Sequence, residues 1–273
     1  GAYSFYAGTT GSDNTSVGSH SLDACTTGNY NTAIGRRALS ASTTANNNTA
    51  LGYYAGDALT TGVSNTFLGR SAGQTLTTQN YNTFVGGNTG QYLEGDDNTA
   101  FGYRALRGTN GDSTGGNNTA VGRSALEVVT TGYRNTSIGF EALKANTTGH
   151  QNTAVGYQAL SNATTALYNT AIGLRAMATG TAAGGFNVAV GLEAAMSITG
   201  GSNVALGSYA MYSSTSVNNC VAIGKESMMG AKTGDHNIAI GLDTFKTAGS
   251  GTLNVGIGTR SLTAATSGYS NVG

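Results

Sequence analysis

The sequence predicts an all-β fold, a parallel β-solenoid (β-roll) of about sixteen 17-residue coils, and three observations predict it. First, Asn14, Asn31, Asn48, Asn65 and Asn82 recur at one constant interval, each opening a pentad Asn-Thr-x-aliphatic-Gly. The opening returns at Asn118, Asn135, Asn152 and Asn169, then as Asn-Val or Asn-Ile at Asn187, Asn203, Asn237 and Asn254. A fixed period of this length is the mark of a repeat architecture. Second, the chain of 273 residues holds 43 Gly and no Pro. At about 1 kcal/mol per glycine a helical solenoid is excluded, and no stretch spaces its apolar residues helically. Third, an aliphatic residue recurs in every unit, which a disordered glycine-rich chain lacks. Stacking like positions about 4.8 Å apart turns each column into a ladder, amides over amides and Val or Thr over their like.

Counting the asparagine as position 1, each element of the coil has its own demand. Position 2 is Thr in the first two thirds and Val or Ile afterwards, as at Val188, Val204 and Ile238. Position 3 is mostly Ala, and position 4 is always apolar, running through Val17, Ile34, Leu51, Phe101, Ile172 and Ile257. This pattern reads as a short strand, with position 4 expected to face a core. Position 5 is Gly throughout, including Gly35, Gly156 and Gly241, so the backbone there needs a conformation or an approach open to glycine alone. Asn31, Gly35, Asn152, Gly156, Asn237 and Gly241 are thus structural residues of the repeat. Positions 8 and 9 pair a small with a larger residue, as in Ala38-Leu39, Ala142-Leu143 and Ala176-Met177, which suits a second short strand or a turn with one core-facing side chain. Thr-Thr-Gly corners such as Thr26-Thr27-Gly28 follow, Gly, Asn and Thr being bend formers.

The unbroken period argues for a single continuous repeat region over residues 1–273. Gly1 falls at position 5 of a unit and Asn271-Val272-Gly273 opens another, so an interior fragment of a longer fibre protein is expected. The rhythm breaks in few places. The step from Asn98 to Asn118 is three longer than the period, so the stretch 107–117 should bulge as a longer loop, and Arg107, Asn110 and Asp112 are candidate receptor contacts there. The step from Asn169 to Asn187 is longer by one, and Cys220 takes the asparagine column.

One chain offers a thin core. Position 6 often carries a large residue (Tyr53, Tyr103, Phe140, Tyr157, Leu174, Leu192, Leu242) that a narrow coil would leave exposed, which points to several chains packed side by side. Arg36, Arg70, Arg123 and Lys225 share that column and can snorkel at an interface rim.

The pentads at Asn187–Gly191, Asn203–Gly207, Val221–Gly224 and Asn237–Gly241 resemble the head repeats of YadA-like trimeric autotransporter adhesins. The stretch from Asn152 to Leu160 is similar to repeats of phage tail fibres and related bacterial surface fibres. The likeness covers the whole chain. It implies a left-handed parallel β-roll, an obligate homotrimeric rod, and attachment to a cell-surface glycan or receptor protein, outside the cell on a cell surface or virion tail fibre. The repeat unit is longer than the adhesin repeat.

Chemistry is sparse. His20, His150 and His236 sit at different positions of different coils, and the carboxylates form no calcium-binding nonapeptide ladder, so neither an enzyme, a cofactor nor a metal site is expected. Thirteen Lys and Arg against thirteen Asp and Glu, with a pI near 7.0, lack the basic footprint of a nucleic-acid binder. No run of residues reads as a membrane span. Cys25 and Cys220 lie many coils apart and are expected as free, buried thiols. The expectation is a structural and adhesive fibre segment, a rigid trimeric shaft or head. An ice-binding solenoid bearing a threonine array, or an extracellular filament or sheath subunit without a receptor, are the alternatives.

Overall fold

The computed structural model describes residues 1–111, 113–180, 184–230, 233–247, 249–263 and 268–273. Its contacts divide the chain into two compact units, Gly1–Asn135 and Thr136–Gly273. Both are parallel β-solenoids, and no helix occurs among the described residues.

In Gly1–Asn135 the strands are β1 (Thr15–Val17), β2 (Thr32–Ile34), β3 (Thr49–Leu51), β4 (Thr66–Leu68), β5 (Thr83–Val85), β6 (Thr99–Phe101) and β7 (Thr119–Val121). Each pairs in parallel with the next in chain order, in a register that sets like on like: Thr32 opposite Thr49, Ala33 opposite Ala50, Ile34 opposite Leu51. In Thr136–Gly273 the strands are β8 (Thr136–Ile138), β9 (Thr153–Val155), β10 (Thr170–Ile172), β11 (Val188–Val190), β12 (Val204–Leu206), β13 (Val221–Ile223), β14 (Ile238–Ile240) and β15 (Val255–Ile257). They follow the same rule, with Val204 opposite Val221 and Ala205 opposite Ala222. Among the described residues fifteen strands stand against the sixteen or so coils expected. Beyond β15 the pattern continues as a bridge from Val255 to Val272 and a 3.0 Å bond from the Asn271 amide to Asn254 Oδ1.

The strand's polarity corrects one expectation. Position 3, not position 4, faces the core: Ala171 is fully buried, whereas Ile172 beside it is 39% exposed. The reason is space. Successive strand residues point to opposite faces, and the interior is filled from across the coil by the position 9 side chain, Leu22, Leu39, Leu143 or Leu160, all fully buried. Only a small residue fits opposite, so the aliphatic residues at 2 and 4 are turned outward.

Positions 8 and 9 form a turn rather than a second strand. Leu39, Leu106, Leu143 and Leu160 adopt φ of 50°, 50°, 48° and 50°, a left-handed conformation costing a non-glycine residue about 1–3 kcal/mol. Burying the leucine, worth about 1.5–3 kcal/mol, offsets that cost. Its amide is held by the next coil, as Leu39 N donates to Ala55 O at 3.0 Å.

A second core column runs through position 12. Leu59, Leu76 and Leu93 fill it in the first unit, Asn146 and Ile198 in the second, all buried. Neither Oδ1 nor Nδ2 of Asn146 finds a hydrogen-bond partner. An amide orphaned in a leucine-shaped place costs about 1–3 kcal/mol, so Asn146→Leu is expected to raise unfolding stability by about that much. A urea midpoint equal to or below that of the wild type would contradict this account.

Candidate functional surface

The asparagine column binds each unit together. Asn31 Oδ1 accepts both the backbone amide of Asn48 (3.1 Å) and its Nδ2 (3.2 Å), while Asn31 Nδ2 donates to Ala45 O at 2.7 Å. Asn152 does the same, accepting from Asn169 N at 3.0 Å and donating to Ala166 O at 2.7 Å. So does Asn237, accepting from Asn254 N at 3.0 Å and donating to Gly251 O at 2.8 Å. Each asparagine thus satisfies a strand-entry amide and a corner carbonyl that no sheet bond reaches, as buried backbone groups require. Cys220 interrupts the ladder, its Sγ accepting from Asn237 N at 3.4 Å. Both cysteines are free and buried, and desolvation pushes both thiols above their ordinary pKa. Gly35, Gly156 and Gly241 hold φ of 134°, 138° and 134° at the strand exit, packed on the glycine of the next coil.

Elsewhere the corners are tied. Thr26, Thr43 and Thr60 each donate Oγ1 to the carbonyl of the equivalent threonine one coil on, at 3.2, 3.3 and 2.9 Å, so the first hydroxyl of each Thr-Thr pair is engaged. Ion pairs tie neighbouring coils, Arg37 at position 7 with Asp57 at position 10 at 3.1 Å, and Arg175 with Glu193, both at position 7, at 2.9 Å. Lys246 hydrogen-bonds Glu226 and Asp243 and holds both carboxyls below their usual range. An open cavity of about 400 Å³ is lined by His20, Asp23, Arg36, Arg37, Ser40 and Ala41. In its lining His20 Nδ1 lies 2.9 Å from Asp23, Arg37 pairs with Asp57, and Arg36 Nη1 donates to the Tyr53 hydroxyl at 3.2 Å.

The inserted loop is short. Leu93 bridges to Ser113, where the chain re-enters the coil, and Ser113 Oγ accepts from Thr109 N (2.6 Å) and donates to Val129 O (2.8 Å). Arg107 is drawn back toward Glu127 at 3.7 Å and Asn110 is exposed. Asp112 lies outside the described residues, as do residues 181–183 of the coil that is longer by one. Among the described residues, no three His, Cys, Asp or Glu converge as a metal site would need, and no helix is long and apolar enough to cross a membrane.

The largest unassigned feature is the outer face of the sheet. Positions 2 and 4 project from it, and position 6 follows just past the glycine that ends each strand. In Thr136–Gly273 they include Val188, Ile172, Ile223, Leu174 and Leu242, with Tyr157 48% exposed. In Gly1–Asn135 position 2 is Thr, and position 6 runs Ser19, Arg36, Tyr53, Arg70, Gly87, Tyr103 and Arg123, Arg36 lying 5.6 Å over the Tyr53 ring. Columns two residues apart are about 6.6 Å apart and strands about 4.8 Å. The strand columns 2 and 4 therefore span about 220 Å² in the second unit and about 190 Å² in the first. Sequence reasoning found these residues but placed position 4 inside, because periodicity alone does not say which side of a strand is buried. Comparison with known proteins assigns no family: no protein-family model, no curated protein and no solved structure matches this chain.

Proposed function

We propose that this chain is a structural and adhesive fibre segment, a rigid shaft or head that assembles as a homotrimer and serves attachment to a cell surface or host receptor from outside the cell. The observation that carries this reading is the outward sheet face. Exposed apolar side chains gathered on one face mark an interaction surface. The face repeats every 4.8 Å or so along each unit, and the partner that matches such a period coil by coil is another copy of the chain. The tightly laddered interior supports a mechanical role, since every coil is bonded to its neighbours. Exposed Tyr30, Tyr81, Tyr133 and Tyr168 are candidate contacts for a glycan or receptor protein, their rings being apolar with one polar tip.

Light scattering of the folded protein is expected to give three times the 27.3 kDa chain mass. A well-folded monomer would sink the trimeric fibre. Ice binding retains one supporting observation, the threonines Thr15 to Thr170 at position 2 of β1 to β10. That reading needs the face bare, so a monomer showing thermal hysteresis would replace the fibre with it.

A further inference from the structure

Of the asparagines in this chain, Asn110 alone is followed by glycine, and the pair lies in the inserted loop. The repeat asparagines that open strands are followed by Thr, Val or Ile. In each of β1 to β15 the first backbone amide is engaged by the next coil, as Thr32 N donates to Asn48 O, Thr49 N to Asn65 O and Thr153 N to Asn169 O, all at 2.8 Å. The asparagine side chains are held as well, Asn31 by Asn48 and Ala45. Asn110 has neither restraint. It is exposed, and neither its side chain nor the Gly111 amide makes a hydrogen bond to a described residue. Gly111 stands at φ 90°, and a Cβ there would meet nothing within 4 Å.

That freedom is what ring closure needs. The Gly111 nitrogen, once it has given its proton to hydroxide, can attack Cγ of Asn110, because glycine lacks the Cβ that would crowd the approach. The N–Cγ bond forms, the Cγ–Nδ2 bond breaks, and ammonia leaves with a proton taken from water. The product is a cyclic succinimide. Water then adds to either ring carbonyl carbon and opens it, leaving aspartate at 110 with an ordinary backbone, or isoaspartate with the chain routed through the side chain. Nothing is oxidised or reduced, and a neutral amide becomes a carboxylate. In a strand the same attack would have to draw the nitrogen out of its sheet bond and past a β-branched side chain.

We infer that Asn110-Gly111 is a site of spontaneous deamidation in the folded protein, neutral when new and anionic when aged. The inference goes beyond the fibre reading and does not depend on it. The coils are undisturbed, because the loop is fastened on both sides: Gly108 N donates to Glu127 O at 3.0 Å and Thr109 N to Ser113 Oγ at 2.6 Å. What changes is the charge that an exposed loop presents.

The full chain, incubated at mildly basic pH below its melting temperature, is digested in acid and mapped by mass spectrometry. Acid at 110, as a mixture of aspartate and isoaspartate, is expected to accumulate within about tenfold of the rate in a synthetic peptide of residues 107–113, since no coil has to open first. Asn31, Asn152 and Asn237 should remain amides over that time, and the rate at 110 should climb with hydroxide concentration. Gly111→Ala is expected to slow it by about tenfold. Asn110→Gln keeps Gly111 and needs a larger ring, so it should abolish the acidification without placing an alanine at positive φ. The aged protein should gain negative charge on ion exchange and keep its urea midpoint. An Asn110 preserved far beyond the half-life of the peptide, a rate unmoved by either substitution, or acid appearing at Asn31 or Asn152 as fast as at Asn110 would each overturn the site.

Discussion

Gly156→Ala is expected to abolish cooperative folding of the unit Thr136–Gly273. Gly156 sits at φ 138°, outside the regions open to residues with a Cβ. A Cβ built there would lie 2.4 Å from the carbonyl oxygen of Gly173 and 2.7 Å from its carbon. Both are backbone atoms of the next coil, so no side chain can swing away. Relief means separating two strands whose spacing is fixed by the asparagine bonds from Asn152 to Asn169. Gly139 and Gly173 meet the same obstacle, each 2.3 Å from the following glycine's carbonyl oxygen, so no adjacent coil has slack to lend. The cost should exceed about 4–5 kcal/mol, the range reserved for a few named mechanisms such as strain at a special backbone position. Gly87→Ala is the control. That glycine has no positive φ, and its added methyl would touch only Tyr103, with Cδ2 at 3.5 Å, so it should be neutral or stabilising by up to about 1 kcal/mol through the unfolded chain. Urea unfolding of the full chain followed by circular dichroism distinguishes them; a Gly156→Ala midpoint near that of Gly87→Ala would refute the steric account.

The coil period, the parallel stacking and the glycine column are legible in the residues because each is a demand repeated at a fixed spacing, and a repeated demand survives local variation. Asn31, Asn152 and Asn237 could be named as structural from recurrence alone, and their ladder forms as expected. What sequence reasoning missed were matters of direction. The aliphatic residue at position 4 looks like core by hydropathy, yet Ala at position 3 takes the interior because the leucine at position 9 arrives from across the coil. That leucine in turn sits in a left-handed turn for which its identity gives no warning, since leucine has no local preference for that conformation. Spacing placed the insertion in the correct coil but drew it too long, since the chain is back in the coil at Ser113, which bridges to Leu93. That Arg107 is drawn back toward Glu127 depends on a contact with the following coil, which spacing does not encode.

Phe67→Ala is expected to cost about 3–5 kcal/mol, and much of that loss should be recovered by adding Gly73→Leu. The usual coil pairs a small residue at position 3 with a large one at position 9, as in Ala33 with Leu39 or Ala100 with Leu106. Three consecutive coils place Gly56, Gly73 and Gly90 at position 9, and the interior is filled instead by Phe67 and Phe84 at position 3 of the second and third, the first keeping the small Ala50. Their rings are stacked with centroids 5.8 Å apart. The exchange is one of volume: a Cβ on Gly73 would lie 2.5 Å from Phe67 Cε1, on Gly56 2.7 Å from Phe67 Cδ2, and on Gly90 2.2 Å from Phe84 Cε2. Near the other end the trade is repeated between coils, Phe245 at position 9 standing 2.8 Å from where a Cβ on Gly256 would fall. Gly73→Leu alone should therefore overpack the core and destabilise by about 1–3 kcal/mol or more. With Phe67→Ala beside it, the leucine enters a left-handed turn that Leu39 and Leu106 already occupy and refills the vacated space. The double variant should thus be more stable than the two single losses added together, by a coupling of about 1–3 kcal/mol. Strictly additive urea midpoints would mean that the two positions do not share one volume, and the packing rule drawn from the coils would fail with them.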